Sequence, residues 1–263
     1  MSVKSAYESI ANEYDSKYEN SLFWRVSDDI TVSHMNNWLP QRGKAIDIGC
    51  GTGDYGLRLL EKGYDVDFSD LSHEMLSIVA KKIKNMKLKY SPKLLEMDLC
   101  TTEFELPEMY DVMIAEGDVL GYCLDEAPHI IRKLEQFLSR DGVMFIGLDN
   151  MIINVIEMAR CNGIDGIENF FKSGKTTCPM SLPIKQYSIT SFEKIIPDSL
   201  YIAEVIGKPI ITPYLSMENQ DEIMKNTMKY EQLIKLEEQA ICNEYSALGS
   251  HFTFVLKRNE MRK

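Results

Sequence analysis

The chain has 263 residues, a formal net charge of −11 and 44% hydrophobic residues. That length and apolar share suit one large domain, or a core with an added lid. The acidic balance, and the lack of any Lys/Arg block shaped like a nucleic-acid footprint, argue against RNA or DNA and mildly favour a neutral or cationic small molecule.

The densest basic cluster, Lys81, Lys82, Lys84, Lys87 and Lys89, reads as a solvated helix face and turn. No apolar run approaches membrane-spanning length, and residues 1–10 lack the apolar core of a signal peptide. Six cysteines (50, 100, 123, 161, 178 and 242) form no C-x-x-C pair. The expectation is a cytoplasmic protein with no membrane partner, no metal site and no disulfide framework.

In chain order, Ser5–Tyr18 carries Tyr7, Ile10, Ala11, Tyr14 and Tyr18 at helical spacing. A second helix is expected from Ser27 or Asp28 to Trp38, ending before Pro40. Ala45, Ile46 and Ile48 then read as a buried strand carrying Asp47 near its end. Glycines follow at 49, 51 and 53, before a helix over 54–62. Glycine lacks the Cβ that would clash where backbone turns sharply or lies against a ligand. The spacing departs from the dinucleotide pattern G-x-G-x-x-G, since the third glycine comes one residue early and Asp54 opens the helix. An acid there repels a pyrophosphate and suits a cationic ligand end, and Asp47 adds a second negative charge.

A strand is expected over 64–69, after a C-cap at Gly63. Asp70 lies 70 − 49 = 21 residues beyond the first glycine, where an acid accepts hydrogen bonds from ribose hydroxyls in open α/β sites. Ser72 is placed to cap a helix from His73 to about Lys84. A third strand, 93–98, ends at Asp98, placed to accept from an adenine amino group with Leu99 beside the ring. Strands at 111–115 and 143–148 flank a helix at 125–139. Such alternation implies a parallel sheet with helices on both faces. Beyond Asp149 the pattern changes: a helix over Met151–Arg160, a Gly- and Pro-rich stretch to Pro183 and a short helix over Ser188–Ile196. A sixth strand over Leu200–Ile206, one long helix over Glu218–Cys242 and an antiparallel closing strand over His251–Lys257 complete the expectation.

The residues Asp47-Ile48-Gly49-Cys50-Gly51-Thr52-Gly53, then Asp70-Leu71-Ser72 with Met75-Leu76, then Asp98-Leu99 resemble the class I S-adenosylmethionine-dependent methyltransferases. Tyr110–Ile114 and Leu138–Ile146 resemble that family's fourth strand and its turn into the fifth. The resemblance covers about residues 40–150. It implies an α/β fold: a doubly wound, mostly parallel seven-stranded sheet of Rossmann-like type, with an N-terminal helical lid and a C-terminal cap insertion. The divisions would be a lid at 1–40, a cofactor-binding core at 41–150, a substrate cap and sixth strand at 151–250, and a closing strand and tail at 251–263.

The implied cofactor is S-adenosyl-L-methionine, leaving as S-adenosyl-L-homocysteine. Tyr14 and Tyr18 belong to a Tyr-Asp-x-x-Tyr element that folds over the cofactor in similar enzymes. Arg25 is a candidate partner for the cofactor's carboxylate. The remaining cofactor candidates are Asp47, Gly49, Cys50, Gly51, Gly53, Asp70, Leu71, Met75, Asp98, Leu99 and Glu116. The loop Glu116–Tyr122 resembles the family's loop beside the transferable methyl, without the Asn/Asp-Pro-Pro-Tyr/Phe motif of relatives that methylate amide or exocyclic nitrogens. Substrate candidates are Asp118, Tyr122, Asp149, Asn150 and His251. Of the four histidines, 34, 73, 129 and 251, none is assigned as a base. The expected activity is methyl transfer to N, O or C of a small molecule by a monomer or homodimer, with an amine nitrogen slightly favoured. The alternatives are a protein or RNA target, or a non-catalytic cofactor-binding module.

Overall fold

Five apolar stretches before residue 150 form parallel strands: β1 (Lys44–Ile48), β2 (Asp65–Asp70), β3 (Leu94–Glu96), β4 (Tyr110–Ala115) and β5 (Leu138–Asp149). These come from a computed structural model that describes residues 2–101, 103–242 and 245–259. A short antiparallel pair follows, β6 (Lys175–Thr177) with β7 (Pro183–Lys185), and then β8 (Leu200–Lys208) and β9 (His251–Arg258). The seven-stranded sheet runs β3-β2-β1-β4-β5-β9-β8, and β9 alone runs against the direction of the other six. This is the mostly parallel, doubly wound sheet expected from the sequence.

Both faces of the sheet are covered, so the central strands are apolar almost throughout. Alternate residues serve opposite cores. Ile46, Met113 and Met144 meet Ile130, Ile131 and Leu134 of the helix Ala127–Gln136. Ala45, Val112 and Phe145 face the side that holds Val26 and Ile30 of the helix Leu22–Met35 and Val79 of the helix His73–Ile83.

Several boundaries differ from the expectation, each for a local reason. The helix ending near 139 stops at Gln136, because Phe137 O accepts from Tyr110 N and Leu138 already pairs with β4. The single helix over 218–242 is two helices, Met217–Lys225 and Thr227–Cys242. Asn226 between them is extended, and its side chain accepts from Lys229 N, so it caps the second helix instead of continuing the first. The N-terminal helix is likewise divided, into Val3–Ile10, a tight turn at Ala11–Glu13 and Tyr14–Glu19. The second helix starts early, at Leu22, where Ser21 accepts from Trp24 N. Cys100 and Cys123 are joined by a disulfide, against the expectation of none. Their separation of 23 residues carries no sequence signal, and the fold brings their loops together.

Candidate functional site

The turn after β1 depends on backbone that only glycine adopts easily. Gly49, Gly51 and Gly53 have φ of +62°, +51° and +88°. A Cβ on Gly49 would stand 2.5 Å from Val119 Cγ2. The loop is tied down by its neighbours: Gly51 N donates to Asp70 Oδ2 at 2.8 Å, Ser72 N donates to Asp70 Oδ1 at 2.8 Å, and Cys50 N donates to Ser69 O at 2.9 Å. Asp47 Oδ2 accepts from Gly56 N at 2.8 Å in the first turns of the next helix. Burial, aided by nearby acids, pushes the Asp47 carboxyl up to about 7. Burial also raises Asp70 and drives the Cys50 thiol well up.

A cavity of about 1240 Å³ opens along the carboxyl edge of β1, β4 and β5, where open α/β sheets take ligands. Of the expected cofactor residues, Tyr14, Tyr18, Arg25, Asp47, Gly49, Cys50 and Glu116 line it. Gly51, Gly53, Asp70, Leu71, Met75, Asp98 and Leu99 are not on its wall. Tyr14 is the physical reason at Gly51: a Cβ there would lie 3.5 Å from its ring. Tyr14 stacks on Tyr18 at 4.5 Å, and Tyr18 lies 4.8 Å from Trp24. Met75 and Leu99 are buried, while Asp98 is exposed and accepts from Cys100 N. Arg25 faces away from the loop, with Nη1 on Met224 Sδ and its guanidinium 4.8 Å from the Tyr230 ring centre.

Four of the five substrate candidates meet on the opposite wall: Asp118, Tyr122, Asp149 and His251. Asp118 has left-handed backbone, with φ +67°. Its Oδ1 accepts from Asp149 N at 3.2 Å, and its buried Oδ2 has no partner among the described residues. Burial and the charge of Asp149 hold the Asp118 carboxyl well above the usual range. Burial would raise Asp149 too, but the charge and hydrogen bond of His251, with the hydrogen bond from Gln186, hold it below. His251 Nδ1 lies 2.5 Å from Asp149 Oδ1. The imidazole sits against Trp24 at 5.1 Å and Phe23 at 5.3 Å. Tyr122 and Tyr7 share a hydroxyl contact at 3.0 Å, and burial drives both phenols up. Asn150 does something else: it caps the helix Met151–Asn162 and donates to Ala247 O and Gly249 O.

The cavity also holds residues the sequence did not single out. Lys208 is 1% exposed. Its Nζ reaches Glu116 Oε2 at 3.4 Å and bonds Thr253, whose hydroxyl donates to Glu116 Oε1 at 2.5 Å. Tyr55 donates to Asp28 at 2.7 Å, and burial lifts Asp28 to about 6. A lysine closing an apolar strand run was the one available signal for Lys208; Asp28, Phe23 and Trp24 gave none. Acids outnumber Lys and Arg along the wall. Among the described residues no group of three or more His, Cys, Asp or Glu is placed to hold a metal.

Residues 45–142 match the model of a family described as a methyltransferase domain. YqeM of Bacillus subtilis (strain 168), whose name provisionally makes it a methyltransferase, is 35% identical over 79 residues, 30% of each chain. A Geobacillus sp. (strain WCH70) protein with the same kind of provisional name is 28% identical over 141 residues, 52% of this chain and 55% of its own. The chain thus spans about half or less of the curated relatives it matches. Among solved structures, a magnesium protoporphyrin IX methyltransferase from Synechocystis PCC 6803 with bound S-adenosylhomocysteine superposes with a TM-score of 0.62, at 14% identity over 98% of each chain. A protein from Pyrococcus horikoshii OT3 gives 0.62 at 12% identity, over 92% of this chain and 93% of its own. An S-adenosylmethionine-dependent methyltransferase from Clostridium acetobutylicum gives 0.58 at 14%, over 94% of this chain and 98% of its own. The sheet order and these superpositions show a Rossmann-like fold, and residues 45–142 of it are similar to a methyltransferase domain.

Proposed function

We propose that the chain is an S-adenosylmethionine-dependent methyltransferase whose acceptor is a small molecule, with an amine nitrogen as the favoured atom. The observation that carries this reading is a single cavity joining the glycine turn to a wall of aromatic rings and carboxyls. The donor suits the residues present. Gly49 leaves bare backbone beside Val119, and Asp47 and Glu116 offer negative charge to an ammonium and sulfonium. When bound, the donor supplies a methyl group on a positive sulfur, with the C–S electron pair leaving on sulfur.

The chain's own task is then to position the acceptor and exclude water. In this reading, residues 1–40 are a lid: Tyr14 covers Gly51 and moves aside as the ribose reaches Asp70. Residues 151–250 supply a cap, contributing Cys178 and Ile184 to the cavity. Tyr18, Trp24 and Phe23 present ring faces and edges that hold a cation near Asp149. No described helix is long and apolar enough to cross a membrane, which fits a cytoplasmic enzyme.

Calorimetry with S-adenosylhomocysteine tests the donor. Labelled methyl transfer to a panel of primary and secondary amines, with phenols, a protein lysate and RNA as further arms, tests the acceptor. Micromolar donor binding with transfer to amines is expected. No binding, or transfer confined to protein or RNA, would overturn the reading.

A further inference from the structure

We infer that His251 is the base that takes the proton from the acceptor nitrogen, with Asp149 as its positioning residue and Asp118 holding Asp149. The inference rests on the small-molecule amine reading above and deepens it.

An ammonium cannot attack a methyl carbon until it loses a proton, because its lone pair is occupied. A base is therefore required on the acceptor side, within reach of that nitrogen. Among the described residues, His251 is the histidine on the cavity wall. Its Nδ1 donates to Asp149 Oδ1 at 2.5 Å, which fixes the tautomer and leaves Nε2 as the basic nitrogen. No protein hydrogen bond of Nε2 is found among the described residues. The ring is held in place by Trp24 and Phe23 of the helix Leu22–Met35.

The other groups around the pair are accounted for. Asp149, on β5, is held from behind by Gln186 Nε2 at 3.1 Å, itself fixed by Asn154. Asp118, from the turn after β4, accepts from Asp149 N. On β8 the cross-strand partner of His251 is Lys208, whose ammonium is turned to Glu116 and Thr253. Tyr18 lies beyond Trp24 from the helix Tyr14–Glu19. Of the two neighbouring carboxyls, burial and Asp149 push Asp118 up while His251 draws Asp149 down, so the carboxylate that faces the imidazole is that of Asp149. That charge stabilises the imidazolium formed in the step.

The acceptor N–H bond breaks, its proton goes to His251 Nε2, and the pair stays on nitrogen. That pair forms the N–C bond as the methyl leaves sulfur with its former bonding pair on sulfur. The imidazolium then returns its proton to water.

Three measurements test this. With an amine methylated by the wild type, His251→Gln should lower kcat about a hundredfold and remove the acidic limb of the pH–kcat profile, with S-adenosylhomocysteine affinity unchanged by calorimetry. Asp149→Asn should lower kcat by a similar factor. Independently of turnover, NMR of the S-adenosylhomocysteine complex should show the His251 Nδ1–H proton far downfield in the wild type and moved upfield in Asp149→Asn, as exchange of a charged acceptor for a neutral one requires. If wild type and His251→Gln methylate the amine equally with the same pH profile, or if the Nδ1–H signal is unmoved by Asp149→Asn, the inference fails alone. If the donor binds and the wild type methylates no amine, the acceptor reading fails and takes the inference with it.

Discussion

The two walls of the cavity were built in different ways. The wall proposed for the donor is local. Asp47, Gly49 and Cys50 sit on one strand and its turn, and Asp70 ties that turn from the end of the next strand. The wall proposed for the acceptor is assembled from distant parts: Trp24, Asp118, Asp149 and His251 come from four separate elements or loops, and Gln186 backs Asp149 from a fifth. The donor wall is constrained by backbone geometry, where a few glycines decide the outcome. The acceptor wall is constrained by side-chain pairing, where chemistry can change without disturbing the fold.

The sharpest way to break that contrast is at Gly49. Gly49→Ala forces a Cβ into Val119 and asks alanine to hold φ +62°. We expect a loss of about 3 kcal/mol in stability and of more than roughly a hundredfold in S-adenosylhomocysteine affinity by calorimetry. Adding Val119→Ala should return part of the stability and little of the affinity, because the strained φ remains. A Gly49→Ala protein that binds and melts like wild type would show that the donor wall does not rest on this turn.

Substitutions on the acceptor wall should separate the walls in the opposite sense. Asp118→Asn keeps the shape and the acceptor for Asp149 N, but replaces the carboxyl behind Asp149 with an amide. A tenfold fall in kcat is expected, as for a group acting through another, with donor affinity within twofold of wild type. A matching fall in donor affinity would mean that the walls are one unit.

Legibility in the sequence follows the same division. All seven strands of the main sheet were visible, because buried parallel strands are short apolar runs bounded by turns. The pair β6 and β7 was hidden, being three residues each within a Gly- and Pro-rich stretch. The break at Asn226 was masked by apolar residues continuing on both sides. On the donor wall, the positions of Asp47, Gly49 and Glu116 followed from motif spacing. Tyr14 covering Gly51 did not, since it depends on how two N-terminal helices turn at Ala11–Glu13. On the acceptor wall the sequence marked Asp118, Asp149 and His251 singly. Their contact could not be read, because it arises from β9 pairing antiparallel with β5, which sets His251 opposite Asp149. The Lys208–Glu116–Thr253 cluster was missed for the same reason.

Proton linkage gives a third comparison. Burial, the leading cause, lifts Asp47 to about 7 and Asp28 to about 6. A carboxyl raised in the fold contributes stability that is full below its unfolded value near 4 and is lost as pH rises through the folded value. A cationic ligand end reverses the preference, since it pairs with the carboxylate. Donor affinity should therefore rise about tenfold from pH 6 to pH 8, and Asp47→Asn should flatten most of that rise. A donor affinity independent of pH over this window would place the ligand's ammonium elsewhere.

The smallest effect is expected away from both walls, at His34. Its Nδ1 and Nε2 lie 2.6 Å from Glu204 and 2.8 Å from Glu238. Ionised carboxylates only accept, so both ring nitrogens must donate, and the pair of contacts requires the imidazolium. The hydrogen bond to Glu204 is the main reason that His34 is raised above its usual value, outweighing burial. Such a group stabilises fully below its unfolded value near 6.5, and the benefit fades as pH climbs through the higher folded value. His34→Gln should then cost about 1 kcal/mol at pH 6, with the difference from wild type shrinking by pH 9 in urea melts. Because His34 joins the helix Leu22–Met35 to β8 and to the helix Thr227–Cys242, the variant should leave donor affinity and kcat at pH 9 unchanged. A cost that is the same at both pH values would mean that the clamp works through packing and not through charge.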